Sequence, residues 1–351
     1  MHSQETSIRT GRTDEDVDVI DLRALLDDLA EILVVPSFAR TGYALRRRLF
    51  DWEDPTSWSL AGKTGVITGP TSGLGRAAAD GLAGMGARLV LVGRDARRLG
   101  QTRDELVAAH PGLETATVVA DMSSLASVRQ ACDRILAMEP RIDVVVDNAG
   151  AMFAERDETP EGFERTFAVM VLGPFAMVSH LLPRLLAAPD GRIVAVTSGG
   201  QYTQALPLDD LQFTRGSYDG PRAYARAKRA QVALVREWAR RLRGSSVVAN
   251  AMHPGWADTP GLEASLPGFR DLMGGQLRSA AEGVDTMLWL AAAPEARART
   301  GQLFLDRRPR PFDRVPMTRL TPSDRLALWD AVLALTGELD PSVAIEAPDK
   351  G

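Results

Sequence analysis

The fold is decided by the stretch Val66-Ile67-Thr68-Gly69-Pro70-Thr71-Ser72-Gly73-Leu74-Gly75-Arg76. A short apolar run leads into three glycines, Gly69, Gly73 and Gly75, and a helical pattern begins directly after them. This order predicts a strand, a tight turn and the start of a helix. Glycines let the backbone approach a pyrophosphate, which the free amides and positive dipole end of the helix attract. The alternative is an ordinary turn, and the rest of the chain decides between the two.

Composition limits the classes to which the chain can belong. Of its 351 residues 45% are hydrophobic, and the formal net charge of -5 argues against nucleic acid as the main partner. The single cysteine, Cys132, excludes an internal disulfide, and four scattered histidines predict no metal site. No uninterrupted apolar run is long enough for a membrane span, and no signal-peptide pattern is present. We expect a soluble, cytoplasmic protein.

Strand and helix patterns alternate from residue 65 onward. Near-continuous apolar strands separated by helices predict a mostly parallel sheet covered on both faces, a doubly wound (Rossmann-type) α/β fold that binds ligands beyond the carboxyl ends of its strands. Seven strands are predicted, at Gly65–Thr68, Arg88–Val92, Thr117–Ala120, Ile142–Val146, Arg192–Thr197, Val247–Ala251 and Gln302–Leu305. Six helices are predicted, at Leu74–Gly84, Ala96–Ala109, Ser124–Met138, Glu161–Leu186, Pro221–Leu242 and Ala280–Ala293. Ser123 is the expected N-cap of the third helix, and Gly244 the expected stop of the fifth.

An N-terminal extension, residues 1–60, precedes this pattern. Residues 1–17 are polar and acidic, and we expect them to be disordered. An apolar stripe predicts a helix at Ile20–Val35 that ends at Pro36. The segment Thr41–Phe50 combines aromatic and apolar residues with three arginines. We expect it to pack on the main fold with its arginines solvated, and the alternative is contact with a membrane.

The end of the second strand bears on cofactor choice. An acidic residue there holds the ribose hydroxyls of NAD, whereas a basic one suits the 2′-phosphate of NADP. This chain has Gly93 and then Arg94, and Arg76 supplies a second guanidinium. Arginine binds phosphate strongly and with defined geometry, so NADP(H) is favoured over NAD(H). The alternative is that both are ordinary helix-end arginines, and Asp95 could compete for Arg94 or bind a ribose itself.

The catalytic pattern is Tyr224-Ala225-Arg226-Ala227-Lys228, with Ser198 at the end of the fifth strand. Residues four apart lie on one face of a helix. A neighbouring ammonium favours the phenolate, so we expect Lys228 to lower the pKa of Tyr224 from about 10. Ser198 can then hydrogen-bond a carbonyl oxygen on which charge develops.

Together these motifs resemble the short-chain dehydrogenase/reductase family. The resemblance covers roughly residues 60 to 306 and rests on motifs in the family's order: Thr68-Gly69-xxx-Gly73-x-Gly75, Asp147-Asn148-Ala149-Gly150, Ser198, Tyr224-xxx-Lys228 and Pro254-Gly255. It implies a catalytic domain at residues 61–306. Residues 307–351 then form a C-terminal extension with one helix, at Thr321–Gly337.

The resemblance also implies roles for individual residues. Tyr224 would be the catalytic acid/base, Ser198 would bind the substrate oxygen, and Lys228 would hold the nicotinamide ribose. Asp121 would contact adenine, although a helix cap is an equal alternative, and Asn148 would lie beside the adenosine ribose and stabilise the sheet. Motifs and resemblance together predict these cofactor-binding residues: Thr68, Gly69, Thr71, Ser72, Gly73, Leu74, Gly75, Arg76, Arg94, Asp121, Met122, Asn148, Ala149, Gly150, Tyr224, Lys228, Pro254, Gly255 and Thr259.

One position departs from the family. Alignment on Leu172-Gly173-Pro174-Phe175 places Met170 where the family has an asparagine that holds a proton-relaying water for the lysine. A thioether is only a weak acceptor and no donor. We expect this change to break or reroute the relay and to weaken or narrow activity.

The expected reaction is hydride transfer between NADP(H) and an apolar aldehyde, ketone or alcohol. A pocket for such a substrate is apolar, and the candidate wall comprises Met152, Phe153, Tyr202, Leu206, Phe213, Trp256, Leu262, Leu266, Phe269 and Met273. The alternative function is a nucleotide-binding module without turnover, which Met170 motivates and the Ser198, Tyr224 and Lys228 set opposes. The oligomeric state stays open, a homo-oligomer included.

Overall fold

The computed structural model of the chain describes residues 22–32, 34–265 and 268–343. Three predictions fall outside these ranges. They concern residues 1–17, the first residues of the helix at Ile20–Val35, and Leu266 of the substrate wall. The strands are β1 (Thr64–Thr68), β2 (Arg88–Gly93), β3 (Thr115–Val119), β4 (Val144–Asp147), β5 (Gly191–Val196), β6 (Val247–Met252), β7 (Leu303–Leu305) and β8 (Arg308–Arg310).

These strands form one sheet in the order β3-β2-β1-β4-β5-β6-β7-β8. Every neighbouring pair from β3 to β7 is parallel, and only β8 is antiparallel. Chain order reverses direction between β1 and β4, which creates the crevice in which folds of this kind bind ligands. The predicted doubly wound fold is confirmed.

Helices cover both faces of the sheet. They are α1 (Leu22–Ile32), α2 (Val34–Phe38), α3 (Arg40–Leu49), α4 (Gly73–Gly84), α5 (Ala96–Ala109), α6 (Leu125–Met138), α7 (Arg165–Phe167), α8 (Gly173–Leu186), α9 (Gly220–Arg241), α10 (Pro260–Ser265), α11 (Phe269–Met273), α12 (Ala280–Ala292) and α13 (Pro322–Thr336). One apolar core lies under α4, α5 and α12, a second lies under α6, α8 and α9, and a third, smaller one includes Phe38 of α2. The run Arg165–Leu186 has the length and hydropathy of a membrane span, and 78% of its apolar window is buried in the fold.

Two predicted helix ends need correction. Ser124, not Ser123, is the N-cap of α6, because its side chain accepts a hydrogen bond from the Ser127 amide. The fifth predicted helix, α9, ends at Arg241 with Leu242 as its C-cap, three residues before Gly244. In the C-terminal helix α13, Thr321 is the N-cap and Gly337 ends the helix with a φ of 65°.

The prediction of seven strands is wrong by one, because the chain turns back after β7 to form β8. The turn consists of Asp306 and Arg307, whose φ angles are +55° and +54°. Two-residue hairpin turns with positive φ at both positions normally have asparagine, aspartate or glycine first and glycine second, so Arg307 hides the turn in the sequence. The sheet therefore extends to Arg310, past the predicted domain boundary at residue 306.

The N-terminal extension is helical, but not as predicted. The first helix, α1, ends at Ile32, and Pro36 lies inside α2 instead of ending a longer helix. The expectation that all three arginines of the next segment are solvated is wrong for Arg46, which is fully buried. Arg47 and Arg48 are exposed, as expected.

A buried ion cluster fixes this extension to the sheet. Arg46 donates to Asp27 of α1 at 2.6 Å and to Asp306 of the β7–β8 turn at 2.6 Å. Asp306 also accepts from Arg278 at 2.5 and 2.9 Å, and Asp27 accepts from Arg310 of β8 at 2.9 Å. The arginines hold the pKa of Asp27 and of Asp306 below the usual aspartate range, against the effect of burial. The cluster thus joins α1, α3 and the last strands through charges shielded from water.

Candidate active site

The glycine turn forms the first wall of the site. Gly69 has a φ of +67°, which other residues rarely adopt. If Gly75 were replaced, the added Cβ would overlap the Gly69 carbonyl oxygen, so both positions require glycine. The N-cap of α4, Ser72, makes no side-chain capping bond, which leaves the first amides of the helix free to bind an anion. Thr259 closes the turn from the other side, since a Cβ at Gly73 would lie 3.3 Å from Thr259 Cβ. This arrangement fits a dinucleotide pyrophosphate.

Asn148 ties β1 to β4 at the reversal in strand order. Its Nδ2 donates to the carbonyl oxygens of Thr68 at 2.9 Å and Gly69 at 3.3 Å. Thr68 Oγ1 accepts from the amides of Asn148 at 3.0 Å and of Ala149 at 2.9 Å. The sheet-stabilising role predicted for Asn148 is therefore visible, and its contact with the ribose stays a prediction.

The basic group at the end of β2 is available for a ligand. Arg94 is exposed and makes neither a hydrogen bond nor an ion pair within the described ranges. Asp95 does not compete for it, because its Oδ1 caps α5 by accepting from the Arg98 amide at 3.0 Å. Arg76, in contrast, is paired with Glu105 at 2.6 Å.

Arg98 is a candidate that the sequence reasoning missed. Its Nη2 donates to the Thr71 carbonyl oxygen at 3.4 Å, which places a third guanidinium beside the glycine turn. The sequence does contain a signal for Arg98. It lies three residues after the helix cap Asp95, in the first turn of α5, and this turn faces the glycine turn after β1.

Asp121 and Met122 lie after β3. Asp121 Oδ1 accepts from the amide of Ser123 at 2.9 Å and from its hydroxyl at 2.7 Å, so it closes a local turn instead of capping α6. The carboxylate is exposed and its adenine contact stays a prediction. Met122 is buried, and its carbonyl oxygen lies so close to Gly173 that a Cβ there would overlap it.

Ser198, Tyr224 and Lys228 meet beyond the carboxyl ends of β4 and β5. Ser198 follows β5 by two residues, and its Oγ accepts from the Gly200 amide at 3.2 Å. Lys228 lies one turn after Tyr224 on α9, is 3% exposed, and places Nζ 5.6 Å from the centre of the tyrosine ring. The three predicted catalytic residues are thus brought together.

The prediction that Lys228 lowers the pKa of Tyr224 is wrong for this structure. Burial raises the pKa of Tyr224, and a hydrogen bond with Ser198 opposes the rise. The physical reason is the direction of Lys228, whose Nζ donates to the Val196 carbonyl oxygen at 2.8 Å instead of facing the phenol. Tyr224 is therefore protonated at neutral pH, which is the form that can donate a proton.

Met170 lies where the alignment places it, next to the lysine. It is fully buried in a π-helical turn, Ala168–Leu172, between α7 and α8. A Cβ at Gly150 would lie 3.5 Å from both Met170 Sδ and Lys228 Nζ. Single π-turns occur often at functional sites, and here the turn presents a thioether instead of a hydrogen-bonding side chain.

Phe38 of the N-terminal extension is a site residue that the sequence reasoning missed. Its carbonyl oxygen accepts from the Trp256 amide at 2.9 Å, and a Cβ at Gly199 would lie 2.5 Å from its ring. The ring also packs edge-on against His253 at 4.6 Å between centroids. No local pattern links Phe38 to these loops, because the contact spans more than 150 residues of chain.

The loop after β6 is held beneath Phe38. Gly255 has a φ of +70°, and a Cβ there would lie 2.5 Å from the Arg278 guanidinium. Arg278 also donates to the Pro254 carbonyl oxygen at 3.3 Å. Burial lowers the pKa of His253 to about 3, so this histidine is neutral, and its Nδ1 accepts from the Gly255 amide at 3.4 Å.

The predicted substrate wall needs correction at three positions. Tyr202, Leu206 and Phe213 are 4–7% exposed and belong to the packed interior. The Tyr202 hydroxyl donates to the Pro311 carbonyl oxygen at 2.9 Å, so its polar end faces the C-terminal extension. Trp256 stacks edge-on against Phe269 at 5.3 Å and remains a wall candidate.

The described residues contain no cluster of three or more His, Cys, Asp or Glu that could hold a metal ion. Cys132, the single cysteine, is buried, and burial raises the pKa of its thiol to about 12. It is therefore an inert core residue and not a nucleophile.

Comparisons with known proteins agree with this geometry. The model of a family described as short chain dehydrogenase matches residues 63–267, which include the glycine turn, Ser198, Tyr224 and Lys228. Dehydrogenase/reductase SDR family member 12 from Bos taurus is 36% identical over 287 residues, covering 82% of this chain and 89% of the relative. A protein of Streptomyces sp. (strain C5), provisionally named daunorubicin C-13 ketoreductase DnrU, is 39% identical over 282 residues, covering 80% of this chain and 94% of the relative.

A solved structure extends the likeness to the fold. The 3-ketoacyl-(acyl-carrier-protein) reductase from Brucella melitensis, complexed with NADH, superposes with a TM-score of 0.58 at 26% identity, covering 70% of this chain and 97% of the other. These matches confirm the predicted resemblance and the predicted fold.

Proposed function

The chain belongs to the short-chain dehydrogenase/reductase family, and from this premise we propose that it is an NADP(H)-dependent oxidoreductase of the cytoplasm that interconverts an apolar carbonyl and its alcohol. The observation that supports the proposal most is the position of Ser198, Tyr224 and Lys228 beside the glycine turn, at the reversal in strand order. The nicotinamide cofactor, when bound, supplies or accepts the hydride.

The chain's own residues handle the proton and the charge. In the reducing direction Tyr224, which is protonated at neutral pH, donates its phenolic proton to the carbonyl oxygen. Ser198, which hydrogen-bonds Tyr224, also faces the oxygen on which negative charge develops. Lys228 would hold the nicotinamide ribose by its ammonium group when the cofactor is bound.

The preference for NADP(H) is tested at Arg94. Arg94→Ala removes the one guanidinium at the end of β2 that is unpaired within the described ranges. A charged hydrogen bond contributes about 1.5 to 3 kcal/mol, so we expect the Kd of NADPH to rise roughly 10- to 100-fold while that of NADH changes little. Titration of nicotinamide fluorescence measures both.

The control for this variant is Arg103→Ala in α5, the helix that follows Arg94, since Arg103 is exposed and paired with Asp104 at 2.7 Å. It should leave both affinities unchanged. Equal loss of NADPH and NADH affinity in Arg94→Ala would remove the basis for an NADP(H) preference.

The departure at Met170 leads to a gain-of-activity prediction. Met170→Asn restores a donor and acceptor beside Lys228, and one hydrogen bond of about 0.5 to 1.5 kcal/mol corresponds to an increase in kcat of up to roughly tenfold. Steady-state kinetics on an accepted carbonyl measures it. Met170→Leu keeps the apolar volume and should give no increase. Unchanged turnover in Met170→Asn would end this interpretation.

The second candidate, a nucleotide-binding module without turnover, rests on the same residue. A binder needs the glycine turn and Arg94 but no tyrosine acid. Tight NADPH binding without reduction of any apolar aldehyde or ketone would favour this alternative.

A further inference from the structure

A buried carboxyl group lies behind the catalytic residues, at the end of β4. Asp147 is 6% exposed, and its Oδ2 accepts from Gln231 Nε2 at 3.1 Å. Asp147 Oδ1 is buried without a hydrogen-bond partner in the described part of the chain, as is Gln231 Oε1. A carboxyl group that is buried with half of its hydrogen bonds missing is costly. An apolar side chain would fill this position at lower cost.

Lys228 is the charged group whose field acts on this carboxyl. Gln231 follows Lys228 by three residues, so both lie on one face of α9. Lys228 Nζ donates to Val196 of β5, and Asp147 pairs with the preceding residue, Ala195, in the β4–β5 ladder. The lysine nitrogen and the carboxyl group therefore lie at adjacent strand ends under the same helix.

Nothing else that carries a charge acts on either group within the described ranges. Lys228 is the only charge acting on Asp147, and Asp147 the only charge acting on Lys228. The other neighbours of the lysine, Tyr224 and Met170, are uncharged. Burial raises the pKa of Asp147 and lowers that of Lys228, and the charge of each group opposes the shift of the other.

We propose that Asp147, held by Gln231, is a positioning residue that supplies the buried negative charge which keeps Lys228 protonated during turnover. The proposal rests on the proposed function, in which an ammonium at Lys228 holds the cofactor ribose beside Tyr224. It also accounts for a carboxyl group in an otherwise apolar layer. Met170 offers the ammonium only a weak thioether acceptor, so a carboxylate is the stronger source of stabilisation.

The test is the pH profile of kcat/KM for carbonyl reduction in Asp147→Asn. Without its negative neighbour the buried ammonium is destabilised, so its pKa falls further and the proton is lost at lower pH. We expect the alkaline limb to move down by roughly one pH unit, with about tenfold lower activity near pH 8 and near-normal activity near pH 6. Gln231→Leu removes the bond to the ionised carboxylate and should give a smaller shift in the same direction.

The matched control is Asp143→Asn. Asp143 is 1% exposed, lies just before β4 at the opposite end of the strand, and accepts from the Thr64 amide at 2.9 Å. Its loss should lower the melting temperature and leave the alkaline limb in place. An unshifted limb in Asp147→Asn overturns the proposal, because a merely structural carboxyl would behave like Asp143.

A double-mutant cycle based on melting temperatures tests the interaction between Asp147 and Lys228 without any measurement of turnover. If the two charges stabilise each other, the melting-temperature loss of Asp147→Asn combined with Lys228→Met is smaller than the sum of the single losses. Additive losses overturn the proposal even in an active enzyme. If the unaltered chain reduces no carbonyl, the proposed function fails, and this cycle alone then decides whether the pair exists.

Discussion

With Tyr224 replaced by phenylalanine, kcat/KM for carbonyl reduction is expected to fall by about 10²- to 10⁴-fold, the range that a positioned general acid contributes. The substitution removes only the hydroxyl that donates the proton. The ring stays in place beside Lys228, whose Nζ lies 5.6 Å from its centre. We therefore expect the NADPH Kd to stay within about threefold of the unaltered value, since the phenol contributes at most one neutral hydrogen bond to binding.

The measurement is nicotinamide absorbance with saturating NADPH, together with a separate binding titration. Tyr218→Phe is a suitable control, because its hydroxyl contacts Thr166 at 2.8 Å and Glu164 at 3.1 Å, away from Ser198. It should keep its turnover. A Tyr224→Phe enzyme within tenfold of full activity would show that the proton comes from another group.

Replacing Arg46 by methionine is expected to lower the free energy of unfolding by about 3 to 5 kcal/mol, the usual cost of removing one partner from a buried ion pair. Arg46 lies between Asp27 and Asp306, both 1% exposed. Methionine fills part of the space but takes one cationic partner from each of two buried carboxylates, which keep Arg310 and Arg278. Because α3 then loses its anchor to the β7–β8 turn, Phe38 should also release Gly199, and activity should fall with stability.

Urea unfolding measures this effect, with Arg47→Met as the neighbouring control. Arg47 is 54% exposed, and its ion pair with Asp54 is long, at 3.9 Å, so its loss should cost less than about 1 kcal/mol.

The Arg46 effect should also depend on pH. The pKa of Asp306 is lowered in the folded state, so the stability that Asp306 contributes is present above the usual aspartate range and is lost as the pH falls through the lowered value. The penalty of Arg46→Met should accordingly shrink in acid. Equal effects of the two arginines at neutral pH would contradict the ion-cluster interpretation.

Sequence reasoning succeeded where local patterns determine structure. Apolar runs such as Arg88–Val92 are buried on both faces in a parallel sheet, so they are visible without any tertiary information. It failed where contacts between distant segments of the chain determine the local structure. The β7–β8 hairpin has the turn Asp306-Arg307, which the ion cluster supports in place of glycine or asparagine. Arg46 has the sequence context of a surface residue, and its burial is explained by partners on other segments, Asp27 and Asp306 among them.

The candidate site divides in the same way. The glycine turn, Ser198, Tyr224 and Lys228 lie at strand ends or on one helix face, where topology alone brings them together. Phe38 reaches the site from the N-terminal extension, and no periodicity in its own segment signals that contact. The sequence likewise shows Asp147 only as part of a motif, whereas its burial against Gln231 depends on how α9 packs on the sheet.

The most direct test of the central claim follows deuterium from C4-labelled NADPH through a panel of apolar aldehydes and ketones, with mass spectrometry of the alcohols. The account predicts deuterium at the former carbonyl carbon of at least one product, dependent on Tyr224 and stronger with NADPH than with NADH. Absence of label in every product, with neither nucleotide changing in fluorescence on addition of the protein, would contradict it, beginning with the role of the turn from Gly69 to Gly75.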